Sequence, residues 1–238
     1  MSRHKVNFAG TDLSTYGVYI SGSGIYNAPE REYDDIIVPG RNGTLLGNEK
    51  RLANVEVTYP AFCYTNFNYF VRALKSFLLS KVGYYPLWDT YYPDEIRMAC
   101  YRGGTEFDMT RRLDAGSFDL TFDCKPERYL TSGQSETTYA EGASTTINNP
   151  TPFDAKPLLR VYGTGEFTIG TVTVTVLSNL AYTDIDCDLC DAYYGTVSRN
   201  FAIELSGNDF PTLAPGSNAV TVGTGITSVK MVPRWYMV

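Results

Sequence analysis

Histidine and tryptophan are scarce in this chain of 238 residues, which has one histidine and two tryptophans. The histidine, His4, lies near the start of the sequence, where a chain is usually mobile and holds a catalytic base poorly. A Ser-His-Asp or Cys-His site would have to use it, because both need a histidine within hydrogen-bond reach of the nucleophile. Carboxylate pairs that meet only in the fold stay open, but no spacing singles one out. We therefore predict no catalytic residue.

Positive charge is also in short supply. The chain has 20 Lys and Arg residues against 26 Asp and Glu, a formal net charge of -6. An extended phosphate-binding surface needs a surplus of cations, so nucleic-acid binding is not expected. No apolar run reaches the length of a membrane span, and no apolar signal segment follows the first residues. We expect a protein made in the cytosol whose five cysteines are reduced thiols.

Two cysteines have the spacing of half a zinc site, in the segment Cys187-Asp188-Leu189-Cys190. A closed tetrahedral site needs two further ligands, and the other cysteines and His4 belong to the other predicted domain. Thiols with no special role are the preferred interpretation. The sequence predicts no metal site here.

Asp184, Asp186 and Asp188 alternate in the same region, as at the start of a calcium-binding loop. Leu189 stands where that loop needs a glycine, and Gly195 stands where it needs a bidentate glutamate. A solvated acidic face is the favoured interpretation. Two Gly-Thr-Gly segments, 163–165 and 223–225, read as hairpin turns, because a phosphate-binding loop would lead into a helix. No cofactor is predicted.

Aromatic residues make up 14% of the chain, with 19 Tyr and 12 Phe, a composition typical of strands. One helix is predicted over about residues 66–81, where apolar residues recur at spacings of three and four: Phe67, Phe70, Val71, Leu74, Phe77 and Leu78. Thr65 or Asn66 is expected to cap its start, and Gly83 its end. The fold class is predicted to be mainly β, with one main helix in an α+β N-terminal domain.

The segment 117–124 alternates between apolar and polar residues, which predicts a half-buried strand that ends at Pro126. Between 131 and 146 the composition changes to Ser, Thr, Gly, Glu and Gln, which marks a boundary. Three parts follow from this: an N-terminal domain at 1–131, a linker at 132–146 and a C-terminal β domain at 147–238. Turns at sandwich-like spacing separate the strands of the last part.

The turn near residue 40 carries the most information. Pro39-Gly40 suits a type II turn, and Asn42-Gly43 is the favoured pair for a two-residue type I′ hairpin. Arg41 would then project from a rigid corner. It is either a solvated residue of an ordinary hairpin tip or part of an assembly corner, Pro39 to Gly43, whose guanidinium contacts a partner carboxylate.

Five segments in order resemble the distal tail proteins (the Dit family) of siphophage baseplates. They are Val38-Pro39-Gly40-Arg41-Asn42-Gly43-Thr44-Leu45, the helix followed by Gly83-Tyr84-Tyr85-Pro86-Leu87, Phe122-Asp123-Cys124-Lys125-Pro126-Glu127-Arg128-Tyr129, Asn149-Pro150 through Lys156-Pro157-Leu158-Leu159-Arg160-Val161-Tyr162-Gly163, and Phe210 to Val220. Each fragment is weak by itself. Their order along nearly the whole chain is what carries the resemblance.

This resemblance implies an N-terminal domain that closes into a six-membered ring and a galectin-like β-sandwich as C-terminal domain. It implies a structural hub of the virion, assembled in the bacterial host cytoplasm, that joins the tail tube to the tail tip around a channel for DNA. The implied partners are copies of itself, the tail tube protein, the tail-associated lysin, the tape measure protein and receptor-binding proteins. A carbohydrate-binding module for host adsorption is the alternative, and an enzyme has the least support.

Overall fold

The structure, a computed structural model, describes residues 4–22, 26–110 and 114–238, with backbone only for 48–50 and 110. Ser23 and Gly24, in the Ser/Gly-rich segment 21–24, lie outside the described residues. The chain divides into two compact units, Met1–Arg128 together with Val238, and Tyr129–Met237.

The first unit contains a main sheet, a two-stranded sheet and one α-helix. Its elements are β1 (Val6–Phe8), β2 (Thr11–Asp12), β3 (Val18–Ile20), β4 (Arg31–Ile37), β5 (Thr44–Leu52), β6 (Val55–Cys63), α1 (Phe67–Ser80), β7 (Tyr85–Asp89), β8 (Glu95–Cys100), β9 (Phe107–Thr110) and β10 (Ala115–Leu130). The main sheet runs in the order β2-β1-β7-β8-β10-β6-β3, and β9 also pairs with β10. The strands β4 and β5 form a separate two-stranded sheet.

The core of this unit lies against one face of the long strand β10. Phe118, Leu120, Phe122 and Cys124 are buried on one face, as the alternating pattern predicts. These side chains belong to one apolar cluster with the helix residues Phe67, Val71, Leu74 and Leu78. The helix is stabilised mainly by this burial, because an isolated helix of 14 residues is marginal in water.

Some local predictions for this unit are wrong. Pro126 does not end β10, which continues to Leu130; pairing with β6 stops at Cys124, so a proline beyond it removes no bond of that ladder. Asn66 precedes α1 in the left-handed region, with φ 51°, and makes no side-chain capping hydrogen bond. The helix ends at Ser80 and Lys81 is its C-terminal cap residue, so Gly83 does not cap it.

The second unit consists of two antiparallel sheets and one further short strand, Tyr236–Met237. Its strands are β11 (Thr137–Ala140), β12 (Ser144–Asn149), β13 (Leu158–Gly163), β14 (Gly165–Ile169), β15 (Val172–Val176), β16 (Thr183–Asp186), β17 (Asp191–Tyr194), β18 (Val197–Ser198), β19 (Ile203–Leu205), β20 (Gly216–Val222), β21 (Ile226–Val232) and β22 (Tyr236–Met237). One sheet runs β11-β21-β13-β16-β17-β18 and the other β12-β20-β14-β15-β19. Both sheets contribute side chains to one apolar core.

The segment 132–146 is not an open linker. Thr137–Ala140 forms β11 and pairs with β21, while Ser144 begins β12, which pairs with β20. The polar composition reflects a strand with one solvated face, since Thr138 and Ala140 are exposed and Tyr139, on the other face, is buried. The prediction of a mainly β fold is confirmed. In the described part of the chain, no helix is long and apolar enough to cross a membrane.

Candidate assembly site

The sheet of β4 and β5 is a hairpin that we call the arm, residues 31–52. Its ladder runs from the pair Arg31 and Leu52 to the pair Ile37 and Thr44, with a register shift between Arg31 and Tyr33. At about 3.3 Å per residue, the seven residues of β4 span roughly 23 Å. A two-stranded hairpin is marginally stable in water without further packing, so a feature of this length is expected to gain a partner surface.

Apolar side chains face solvent on both sides of the arm. Ile36 and Leu45 are opposite each other and are 49% and 43% exposed. Ile37 and Leu46 lie on the other face, because successive strand residues alternate, and are 78% and 62% exposed. A ribbon with apolar residues on both faces presents the kind of surface that a protein interface covers.

The tip of the arm is a loop from Val38 to Gly43. The N–H of Arg41 donates to the carbonyl of Val38 at 3.2 Å, and Gly40 has φ 79°. This is the type II turn that Pro39-Gly40 predicts. The predicted two-residue type I′ hairpin at Asn42-Gly43 is wrong: the last paired residues are Ile37 and Thr44, which leaves a six-residue loop, and of the two only Gly43 has positive φ (83°).

Arg41 is exposed at this tip. It is the only charged residue between Ile36 and Leu46. Among the described residues it has no carboxylate partner within ion-pair distance, whereas Arg51 at the base of the arm pairs with Glu32 at 3.0 Å. The tip therefore combines apolar side chains with one unpaired guanidinium.

The other residues singled out from the sequence are His4, the cysteines and the aspartates at 184–188. In the described part of the chain, no group of three or more His, Cys, Asp and Glu side chains could hold a metal ion. His4 is more tightly placed than expected for a terminus: its ring stacks on Tyr91 at 4.3 Å between centroids, and its Nδ1 lies 3.1 Å from the hydroxyl of Thr90.

The prediction of a solvated acidic face at 184–188 is wrong for two of its three carboxylates. Asp184 and Asp186 are 7% and 5% exposed, and each makes a two-point ion pair, with Arg160 and Arg234 respectively. Burial acts to raise the pKa of Asp186, but hydrogen bonds and charge attraction from Arg234 outweigh it and hold that pKa below its ordinary value. Asp184 and Asp186 of β16 are therefore paired with arginines and are not solvated carboxylates.

All five cysteines are free thiols, as predicted. Cys187 is buried and Cys190 is exposed, and the Cys190 thiol donates to the carbonyl of Cys187 at 3.7 Å. Burial raises the pKa of Cys124 to about 12 and also raises that of Cys187. The two Gly-Thr-Gly segments lie side by side, with Thr164 N–H donating to Gly225 O at 3.0 Å, so they serve as packed turns.

An aromatic cluster that was not predicted from the sequence lies on the second unit. Tyr182 lies between Tyr162 and Tyr194, at centroid distances of 6.1 and 4.8 Å. The guanidinium of Arg160 sits 4.2 Å from the centre of the Tyr182 ring and donates to Asp184 at 2.6 and 2.9 Å. We call these three tyrosines and Arg160 the tyrosine cluster.

The exposure of the apolar residues in the arm was also missed. Apolar strand residues are usually buried, so their identity alone does not indicate this exposure. A signal was present in the sequence. Consecutive apolar residues, Ile36-Ile37 and Leu45-Leu46, put apolar side chains on both faces of each strand. A two-stranded ribbon cannot bury both of its faces by itself.

This architecture is that of phage baseplate proteins. Two chains of the phage P2 baseplate in its activated conformation, one with Ca and one with Sr, match at TM-scores of 0.52 and 0.50. Each is 10% identical, and the matches cover 98% of both chains in the first case and 97% of both in the second.

A stronger match defines the fold further. The crystal structure of the SPP1 Dit protein, described as a paradigm of the hub of the adsorption apparatus in phages that infect Gram-positive bacteria, matches at a TM-score of 0.71. The match has 16% identity and covers 97% of this chain and 98% of that one. No protein-family model and no curated protein sequence matches. The chain has the fold of a Dit protein, and the resemblance predicted from its motifs is confirmed at this level.

Proposed function

We propose that this chain is a structural hub protein of a phage tail tip. Copies of it form a closed ring that joins the tail tube to the tip and leaves a channel through which DNA passes. The observation that carries the proposal is the arm, whose apolar residues are exposed on both faces in a chain that matches SPP1 Dit over 97% of its length. An arm of this kind gains stability only when a neighbouring molecule covers it.

The proposal includes the partners and the place of work. The ring is a hexamer, as in the family that the motifs resemble, and it contacts the tail tube protein, the tail-associated lysin, the tape measure protein and receptor-binding proteins. It is made in the host cytoplasm and works in the virion. The net charge of -6 supports passage of DNA without specific binding, since a surplus of negative charge does not retain a polyanion. The second unit is proposed to be galectin-like.

The role is proposed to be assembly without catalysis. Turnover of cell-wall polymer by the isolated chain, abolished by changing one carboxylate, would overturn this part. The assembly corner at Pro39, Gly40, Arg41, Asn42 and Gly43 is proposed to lie at a subunit boundary.

Replacing Arg41 tests the corner. Arg41→Ala is expected to weaken ring assembly about tenfold, because an ion pair closed off from water at an interface is lost. It is expected to leave the melting temperature of the monomer nearly unchanged, since the residue is exposed. Arg72→Ala, which removes an exposed arginine from α1, is the matched control. Sedimentation velocity and calorimetry measure the two effects, and the opposite ranking would return Arg41 to the interpretation of a solvated hairpin tip.

A second candidate function is carbohydrate binding by the second unit. The tyrosine cluster favours it, because sugar rings stack on aromatic faces and their hydroxyls bond to nearby charged groups. Tyr182→Ala should then abolish binding of the chain to purified cell-wall glycans, measured by calorimetry. A wild-type chain that binds no such glycan would remove this candidate and leave the hub unaffected.

A further inference from the structure

A closed ring of identical chains needs two different surfaces on each chain that fit each other, because each contact is made head to tail. The arm supplies one of them. The second must be sought among the other exposed surfaces of the same chain, and it should complement a tip that is apolar and carries one positive charge.

One groove of the first unit has the required properties. It has a volume of about 620 Å³ and lies over the outer faces of β6 and β10, with the loop at 103–106 along its side. Pro60 and Phe62 of β6 line it, opposite Asp119 and Ser117 of β10 in the ladder. The floor thus offers apolar side chains next to polar ones.

The groove is acidic. Glu106, Asp108 and Asp119 line it, and all three are exposed. In the portion of the chain that the structure describes, none of the three has an ion-pair partner. The neighbouring carboxylate Asp123 differs, because Arg102 binds it directly. We call this site, lined by Pro60, Phe62 and the three carboxylates, the acidic groove.

We propose that the tip of the arm of one copy seats in the acidic groove of the next copy. Arg41 then meets Glu106, Asp108 and Asp119, and the apolar residues of the tip cover Pro60 and Phe62. The two surfaces are complementary in charge: Arg41 is the one charged residue between Ile36 and Leu46, and the groove has three carboxylates with no ion-pair partner among the described residues. Opposite potentials across an interface fix its register and exclude wrong partners. This inference rests on the proposed head-to-tail ring, and it names the surface that receives the arm.

Charge reversal on each side tests the contact in the full-length chain. Arg41→Glu places an anion among three others, and Asp119→Lys places a cation opposite Arg41. Each variant is expected to self-associate at least about tenfold more weakly than the wild type in sedimentation velocity. Glu204→Lys, which reverses an exposed carboxylate of the second unit, is the matched control and should associate like the wild type.

Mixing the two variants gives the decisive result. The Asp119→Lys chain keeps an intact arm and the Arg41→Glu chain keeps an intact acidic groove, so a mixture restores one good contact per pair. We expect a complex that neither variant forms alone. Thermal unfolding of each variant should match the wild type, because both positions are exposed.

Three outcomes would overturn the inference in distinguishable ways. If the wild type forms rings and both reversed variants form them equally well, the arm seats elsewhere and the ring itself stands. If the wild type stays monomeric at the highest concentration reached, both the ring and the acidic groove as its receptor are refuted. If a basic peptide or a cation restores association of the Arg41→Glu chain and the Asp119→Lys chain does not, the inference is also refuted.

Discussion

The exposed isoleucine at the end of β4 gives the sharpest prediction about assembly. Ile37 is 78% exposed in the single chain, so most of its burial is left for a partner to provide. Full burial of such a side chain is favourable by about 1.5–3 kcal/mol, and about three quarters of that is roughly 1–2 kcal/mol for each contact. Ile37→Ser should therefore weaken association by roughly 5- to 30-fold per contact.

The same change should leave the folded monomer almost as stable as before. Surface substitutions of this kind change the free energy of unfolding by about 0.5 kcal/mol or less, which is about 2 °C in melting temperature for a unit of this size. A concentration series in sedimentation velocity measures association, and calorimetry measures the melting temperature. Leu180→Ser is the control, because Leu180 is 60% exposed but lies in the second unit.

Two results would refute this prediction. If Ile37→Ser lowers the melting temperature by many degrees and association does not change, the isoleucine stabilises the chain itself and the arm is not an assembly element. If Leu180→Ser weakens association as much, loss of any exposed apolar side chain would explain the effect.

Three further predictions concern the two units and the thiols. Leu74→Ala should lower the free energy of unfolding by about 2–5 kcal/mol, because Leu74 is fully buried, while Leu79→Ala, on the exposed side of α1, should cost about 0.5 kcal/mol or less in urea unfolding. Arg234→Met should destabilise the chain by about 3 kcal/mol at pH 7, since it leaves Asp186 buried and unpaired. The folded-state pKa of Asp186 is lowered, so its contribution to stability is present above the ordinary pKa near 4 and is lost as pH falls through the folded-state pKa. The difference in free energy of unfolding between wild type and variant should therefore shrink at pH 3. A difference that stays constant with pH would contradict this. In the native chain, Cys190 should react with iodoacetamide well before the buried thiols, as followed by mass spectrometry, and uniform labelling would contradict the described burial.

Features set by local chemistry were predictable from the sequence. The turn at Pro39-Gly40 follows from the fixed φ of proline and the freedom of glycine, and the alternation of β10 follows from the pleat. The helix was predictable because its apolar residues recur on one face. Each of these depends on a short stretch of chain.

Features set by contacts between distant residues were not predictable. The sequence pattern predicts that Asp184 and Asp186 are solvated. In the fold they are paired with Arg160 and Arg234, which are distant in the sequence. The polar segment at 132–146 becomes two strands because distant strands, β21 and β20, pair with it. Single-sequence patterns contain neither pairing, and propensity is weak against tertiary contacts.

The candidate assembly site also has one part that could be predicted from the sequence and one that could not. The turn that leads into Arg41 could be predicted from Pro39 and Gly40. The acidic groove could not, because Pro60, Glu106 and Asp119 come from three separate elements that meet only in the folded unit.

Imaging of the purified full-length chain by cryo-electron microscopy, at the concentration where it associates, tests the central claim most directly. The account predicts closed rings in which each arm crosses to the next copy and its tip lies in the acidic groove. Monomers at every concentration, or two-fold dimers in which the arms stay exposed to solvent, would contradict it.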